Sequence, residues 1–316
     1  MVKYISSRNR KDTVSAHQAI IQGLSKDGGL YTIEPVTQKI DLNEILNRSY
    51  QDTALLILSK LLDDFSIEEL SHCIHGAYDS HFDSSEIVPL KKISDGWLME
   101  LWHGPTCAFK DIALTILPYL MTVSCRKENR TDTISILTAT SGDTGKAALE
   151  GFRDVPGTAI TVFYPVDGVS DIQKRQMVTT AGKNVDVIAI KGNFDDCQRM
   201  VKQAASDPEV LASLDGVSLS SANSINIGRL LPQIVYYFTS YAELVKENAI
   251  ACGDPVNFVV PTGNFGDILA GYHAKLLGLP IQKLICASNS NHVLTDFLNT
   301  GTYSIERPFL NTISPS

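Results

Sequence analysis

Thr133-Ile-Ser-Ile-Leu-Thr-Ala-Thr-Ser-Gly-Asp-Thr-Gly145 is the stretch whose reading decides the fold. Its first seven residues make a β-branched run that reads as a strand, the glycines mark a turn, and Ala147, Ala148, Leu149 and Phe152 then recur at helical spacing. The same rhythm repeats downstream. Strands are predicted over 158–164, 185–190, 217–220, 256–260 and 281–287, with helices over 170–179, 193–205 and 227–245 and another ending at Leu277. Apolar strands alternating with helices make a mostly parallel sheet covered on both faces, and such sheets bind ligands beyond the carboxyl ends of their strands.

Upstream, Leu101-Trp-His-Gly-Pro-Thr-Cys-Ala-Phe-Lys-Asp111 joins a strand-like run (Trp97, Leu98, Met99, Leu101, Trp102) to a helical pattern (Ala113, Leu114, Leu117, Leu120, Met121). Lys110 therefore stands near the first turn of a helix, where a cation opposes the helix dipole. Phe109, Ala108 and Trp102 are expected to strip water from it. Both effects favour the neutral amine, which is a nucleophile; the competing reading is a solvated lysine in an ordinary turn. From Met1 to Gly96 the pattern is helical, with Ser66-Ile-Glu-Glu69 as a capping box. His72, His75 and His81 lie near one another there, but no carboxylate completes a ligand set, so no metal site is expected.

With 27 Lys and Arg against 35 Asp and Glu, the 316-residue chain has a formal net charge of -8. That balance disfavours a nucleic-acid or anionic-membrane surface, so an anionic substrate must meet a locally basic pocket. Six dispersed cysteines without a C-x-x-C pair suit free thiols packed in the core, in a reducing compartment. No signal-like or membrane-length apolar run is present, and a cytoplasmic protein is expected.

Thr262-Gly-Asn-Phe-Gly-Asp267 follows a strand and opens a helix, so its amides suit a phosphate; the alternative is a plain strand-helix turn. Thr140-Ser-Gly-Asp-Thr-Gly-Lys146 reads as a second anion nest. It is not a P-loop, because Thr140 stands where that pattern needs glycine and Ala147 where it needs a hydroxyl. No G-x-G-x-x-G occurs. A lysine at a helix start, a hydroxyl-rich nest and a glycine cradle together suit a cofactor bearing an aldehyde and a phosphate.

The segments around Lys110, Thr140–Gly145, Asp167-Gly-Val-Ser170, Asn223-Ser-Ile-Asn226 and Gly263–Asp267, with Gln22–Leu30 near the start, resemble those of threonine synthase. That family uses pyridoxal 5'-phosphate (PLP) on a tryptophan-synthase β-type fold. The resemblance implies an α/β protein of two open, mostly parallel twisted sheets with helices on both faces, preceded by a helical N-terminal segment. The implied division is 1–96 helical, 97–216 a small α/β domain with the lysine at its edge, and 217–316 the first part of a large α/β domain. It further implies that Lys110 joins the cofactor aldehyde, that Gly263, Asn264, Phe265 and Gly266 with Asp267 hold its phosphate, and that Asp143 faces its ring. Thr140, Ser141, Gly142, Thr144 and Asn226 would face the substrate. Cys107 and Lys146 depart from the family's usual smaller or aliphatic residues. For the phosphate of O-phosphohomoserine the cations nearest the strand ends are Arg229 and Lys174, then Lys146 and Arg175; Arg229 ranks first for its planar fork.

The implied reaction is that of a lyase of threonine biosynthesis, turning O-phospho-L-homoserine and water into L-threonine and phosphate. The alternatives are β-elimination or β-replacement in the manner of a serine/threonine dehydratase, or a threonine-synthase-like protein without turnover. A monomer or homodimer is expected. So is a natural chain running past Ser316, since the family's partner for the pyridine nitrogen comes late; residues 1–316 alone would then expose sheet edge and aggregate.

Overall fold

A computed structural model describes residues 2–33, 36–140, 142–261 and 263–304, with the side chains of 205 and 206 excepted. The N-terminal segment comprises β1 (Tyr4–Ser6), β2 (Thr13–Val14), α1 (Ala16–Gln22), β3 (Tyr31–Ile33), α2 (Leu42–Ile45), α3 (Tyr50–Leu61) and α4 (Ile67–Tyr78). Capping follows the sequence closely: Ser15 and Ser66 each close a capping box, with Gln18 and Glu69 as the reciprocal partners. The three short strands form an antiparallel sheet in the order β2-β1-β3, which adds to the expected helices. His75 bonds the Ser71 carbonyl at 2.9 Å, and His72 packs edge-on against Tyr119.

A hairpin of β4 (Leu90–Ile93) and β5 (Gly96–Met99) leads through the Lys110 loop to α5 (Asp111–Leu114) and α6 (Leu117–Lys127). Next come β6 (Thr133–Ala139), α7 (Asp143–Phe152), β7 (Thr158–Pro165), α8 (Asp171–Val178), β8 (Val185–Ile190), α9 (Phe194–Ser206), α10 (Pro208–Ser213) and β9 (Val217–Ser220). The four strands form one all-parallel sheet in the order β8-β7-β6-β9. Ile136 pairs with Ile160 at its centre, and both are fully buried. Strand β9, which opens the 217–316 segment, thus pairs with the sheet of the segment before it.

The chain continues as α11 (Ile227–Lys246), β10 (Val256–Pro261), α12 (Gly266–Leu276), β11 (Ile281–Ala287) and α13 (Val293–Thr300). Strands β10 and β11 pair in parallel as the second sheet. Helix α11 packs against α3, α5 and α12 and is buried from Ile227 to Phe238. Each of its fully covered Leu, Ile, Val and Phe side chains contributes about 1.5–3 kcal/mol by leaving water.

The N-terminal segment is bonded to the rest of the chain where α11 begins. Ser220 Oγ donates to the Ile21 carbonyl at 2.8 Å and Asn226 Nδ2 to the Ile20 carbonyl at 3.0 Å. At the far end of α12, Ile40 N donates to the Leu277 carbonyl at 2.8 Å. Among the described residues no helix is long and apolar enough to cross a membrane. All six cysteines are free; Cys73 and Cys197 are core residues as expected, whereas Cys107 and Cys252 are exposed.

Candidate active site

Lys110 caps α5 from a loop that one carboxylate holds in shape. Asp111, 1% exposed, accepts Thr106 N at 2.8 Å, Thr106 Oγ1 at 2.5 Å and Ala108 N at 3.4 Å. Gly104 is required beneath it, because a Cβ there would sit 2.5 Å from the Asp111 Cβ. Cys107 adopts a left-handed backbone with φ of 56°, a conformation costing a non-glycine residue about 1–2 kcal/mol, which the Asp111 bonds offset. The loop is thus fixed before it delivers its lysine.

The Lys110 side chain is 12% exposed and paired with Asp143 at the start of α7. Its Nζ lies 4.5 Å from the Phe109 ring centroid. Burial drives its pKa below the ordinary lysine value; Asp143 opposes that shift and the Arg229 charge adds to it. Of the expected desolvating residues, Phe109 covers the amine, whereas Trp102 is 45% exposed and stacks on His103 instead.

The two glycine loops, alike in sequence, differ in how their glycines are used. In the first, Thr140 is buried and its Oγ1 accepts Gly142 N at 3.0 Å and Gly145 N at 2.9 Å. Gly142 has φ of 152°, and a Cβ on it would fall 2.4 Å from the Gln173 side chain. A Cβ on Gly145 would meet Thr140, Met177 and Val162 within 3 Å. Those glycines serve the fold. The Thr144 amide is 2.9 Å from Asp143 Oδ1, and Ser141 lies outside the described residues.

In the second loop, Gly266 opens α12, and among the described residues a Cβ there would find only Ser224, at 3.5 Å and 3.6 Å, which is ordinary contact. Its N-cap, Phe265, supplies no side-chain acceptor, and among the described residues no side chain caps the first-turn amides of α12. A glycine with room for a side chain, beside uncapped helix amides, fits an anion such as the PLP phosphate. Gly263, Asn264 and Phe265 complete the turn; Thr262 lies outside the described residues. Asp267 follows in the first turn, mostly buried. Tyr236 and Tyr237 hydroxyls donate to its Oδ1, the latter at 2.8 Å. Burial raises the Asp267 pKa, while the two tyrosines and the Lys110 charge hold it down.

Arg229, on α11, is 1% exposed. Its Nη1 donates to the Ala222 carbonyl at 3.0 Å, its buried Nε has no hydrogen-bond partner, and no carboxylate pairs with it among the described residues. Burial lowers its pKa to about 10, with Asp143 and Tyr236 opposing, so it remains a cation at neutral pH. A buried guanidinium with an unmatched donor calls for an anion. Lys146 is committed elsewhere, paired with Glu150 and 2.9 Å from Thr180 Oγ1. Lys174 and Arg175 are exposed on α8, next to the Gln173 that abuts Gly142.

Asn226, expected at the substrate, spends its carboxamide on the protein. Its Oδ1 accepts Gly228 N at 2.8 Å, and its Nδ2 donates to the Ile20 and Ser221 carbonyls. Sequence reasoning passed over Asp111, Gln233, Tyr236 and Tyr237. The signal for the last three was polar residues at helical spacing from Arg229 in a helix that otherwise reads as core.

Two family models match the chain: "Threonine synthase N terminus" over residues 3–78 and "Pyridoxal-phosphate dependent enzyme" over 81–316. Threonine synthase of Saccharomyces cerevisiae is 38% identical over 330 residues, covering 99% of this chain and 63% of that protein. Threonine synthase-like 1 of Homo sapiens is 40% identical over 318 residues, covering 95% of this chain and 42% of that protein. The chain therefore spans less than two thirds of the length of these relatives. Among solved structures, PLP-bound threonine synthase from Brucella melitensis matches with a TM-score of 0.89 at 38% identity, over 100% of this chain and 66% of that one. The Escherichia coli threonine synthase structure matches with a TM-score of 0.81 at 36% identity, over 96% and 67%.

Proposed function

Since the chain belongs to the pyridoxal-phosphate-dependent enzyme family, in its threonine synthase branch, with PLP as the family's cofactor, we propose that it converts O-phospho-L-homoserine and water to L-threonine and phosphate. The observation that carries this reading is the buried Arg229 guanidinium, unmatched by any described carboxylate, in the electrostatic neighbourhood of a depressed Lys110. Eliminations on serine need no second anion site; a phosphomonoester does.

The cofactor supplies an electron sink for negative charge developing beside the substrate's amino group. The chain's residues do the rest. The Gly263–Gly266 turn and the first amides of α12 bind the phosphate of PLP, and Lys110 holds the cofactor covalently. Displaced by the substrate amine, Lys110 is neutral enough to take a proton from Cα and to move protons at Cβ. Asp143 receives the lysine ammonium. Thr140 acts through the turn it shapes, presenting Gly142 and Thr144 to the substrate carboxylate, and Ser141 is assigned to the same carboxylate. Asn226 acts by fixing the start of α11. Arg229 binds the departing phosphate, with Lys174 at the rim. We assign the small domain to the β8-β7-β6-β9 sheet, so that β9 belongs with it.

The test is a product assay on PLP-loaded protein: threonine and inorganic phosphate in equal amounts from O-phosphohomoserine, with no 2-oxo acid from serine or threonine. The 40% identity to threonine synthase-like 1 supports a second reading, a protein of this fold without threonine synthesis. A PLP adduct on Lys110 with no phosphate release from O-phosphohomoserine would favour it.

A further inference from the structure

Between β9 and α11 the chain makes the turn Ser221-Ala-Asn-Ser-Ile-Asn226, whose polar side chains, with one exception, are spent on the protein itself. Asn223 Nδ2 donates to the Ala139 carbonyl at 3.2 Å, and Ser221 Oγ accepts Asn223 N at 3.2 Å. Asn226 N donates to the Asn223 carbonyl at 3.0 Å, while the Asn226 carboxamide caps α11 and holds the Ile20 and Ser221 carbonyls. Ser224 is the exception. Its side chain is exposed, and among the described residues its hydroxyl has no hydrogen-bond partner. It also sits beside the turn assigned to the cofactor phosphate. A Cβ built on Gly266 would lie 3.5 Å from Ser224 Cβ and 3.6 Å from its Oγ. The two residues belong to different sheets: Ser224 follows β9 of the four-stranded sheet and Gly266 follows β10 of the second, each beyond a strand's carboxyl end, where such sheets bind ligands. A bonded turn thus holds one unspent hydroxyl next to helix amides that no side chain caps.

We propose that Ser224 is a further ligand of the cofactor phosphate, its hydroxyl donating to a phosphate oxygen held at the start of α12. This rests on the Gly263–Gly266 turn being the cofactor-phosphate site. A phosphomonoester presents three strongly accepting oxygens, and the first turn of α12 meets it from one side. Ser224 adds a donor from the other sheet, and a hydroxyl bonded to a charged oxygen makes one of the stronger hydrogen bonds available to a serine. The bonds of Ser221, Asn223 and Asn226 fix the turn independently of any ligand, so placing this hydroxyl costs little further conformational entropy. Because the hydroxyl is exposed and bonds no described residue, the fold itself does not depend on it.

The test uses the whole chain and two probes, PLP and pyridoxal, which carries the same aldehyde without the phosphate. Each is fixed to Lys110 by borohydride over a range of probe concentrations, in the unsubstituted chain, Ser224→Ala and Ser224→Thr. Losing one hydrogen bond to a charged oxygen should raise the PLP dissociation constant of Ser224→Ala about tenfold. Pyridoxal should label Ser224→Ala as it labels the unsubstituted chain, and the apoprotein melting temperature should stay in place. Ser224→Thr keeps the hydroxyl and should retain most of the PLP affinity. Unchanged PLP affinity in Ser224→Ala, equal losses for PLP and pyridoxal, or a loss in Ser224→Thr matching that of Ser224→Ala would overturn this proposal alone. If the unsubstituted chain took up PLP no better than pyridoxal, the phosphate turn itself would be misassigned, and if Lys110 took up neither, the functional reading would fall; in both cases this proposal falls too.

Discussion

Gly266→Ala separates a binding glycine from a folding one. Gly266 is the first residue of α12 and is not among the positive-φ glycines, and among the described residues outside its own helix and chain neighbours a Cβ built on it would meet Ser224 alone, at 3.5 Å and 3.6 Å. Alanine therefore fits the apoprotein. It favours the helix and restricts the unfolded chain by about 0.5–1 kcal/mol. For a chain of this size the apo melting temperature should hold or rise by about one to three degrees. If the turn holds the cofactor phosphate as proposed, the phosphate would approach this amide closely and the methyl would crowd it. Losing one amide bond to a charged oxygen costs about 1.5–3 kcal/mol, so the PLP dissociation constant should rise roughly ten- to a hundredfold. Thermal unfolding of the apoprotein and equilibrium dialysis with PLP measure the two effects separately. Unchanged PLP affinity, or an apoprotein destabilised as much as binding is weakened, would refute the assignment of this turn. Gly142→Ala supplies the contrast: its φ of 152° and the Gln173 side chain 2.4 Å from the new Cβ should make it destabilise the apoprotein itself.

Lys110→Ala should keep the far-UV circular dichroism spectrum and lose all borohydride-fixed PLP; in the unsubstituted protein, because burial lowers the amine's pKa, labelling should set in at lower pH than for a lysine peptide. Arg229→Met keeps most of the side-chain volume and removes the charge, so phosphate inhibition should weaken and KM for O-phosphohomoserine should rise about tenfold or more, with Lys174→Ala doing less; equal KM values in both variants would move the phosphate site elsewhere. His103, bonded to Glu100 at 2.9 Å and Asp83 at 2.6 Å, has its pKa raised above the ordinary 6.5, chiefly by Glu100. Its protonated form stabilises the fold below pH 6.5, and that contribution fades as pH rises through the raised value. The melting temperature advantage of the native chain over His103→Gln should thus be larger at about pH 6 than at about pH 8; the opposite trend would show the ion pairs to be inert.

What was legible in the sequence was whatever solvent exclusion writes over many residues. Strands β6 and β7 read as β-branched, apolar runs of seven and eight residues because neither has an exposed position, whereas β8, β10 and β11 have exposed positions and were read from their Val and Ile content and from the turns at their ends. Strands β1, β2 and β3 have only two or three residues each, too few for any periodicity, and their pairing is a tertiary event. Strand β9 was found, but its partner was not, because register with β6 is not encoded near Val217. Helices α10 and α13 were passed over. At the candidate site, residue types alone pointed to Lys110 and the Gly263–Gly266 turn as candidates. Whether a glycine serves a ligand or a neighbouring side chain depends on what faces it, and only the folded chain supplies that for Gly142 and Gly266.

The hydrogen bonds from Ser220 and Asn226 to the turn at the end of α1 bear on how this protein can be recombined. The two matched segments meet between residues 78 and 81, which invites treating the first as an exchangeable module. Yet Asn226 caps α11 while its amide is held by the Ile20 carbonyl, and a side chain on Gly23 would come within 3.3 Å of that amide. A chimera that imports a foreign N-terminal segment must import the shape of the Ile20–Gly23 turn as well. Otherwise the graft, though remote in sequence from Lys110 and Arg229, would leave the helix that carries the guanidinium without its cap.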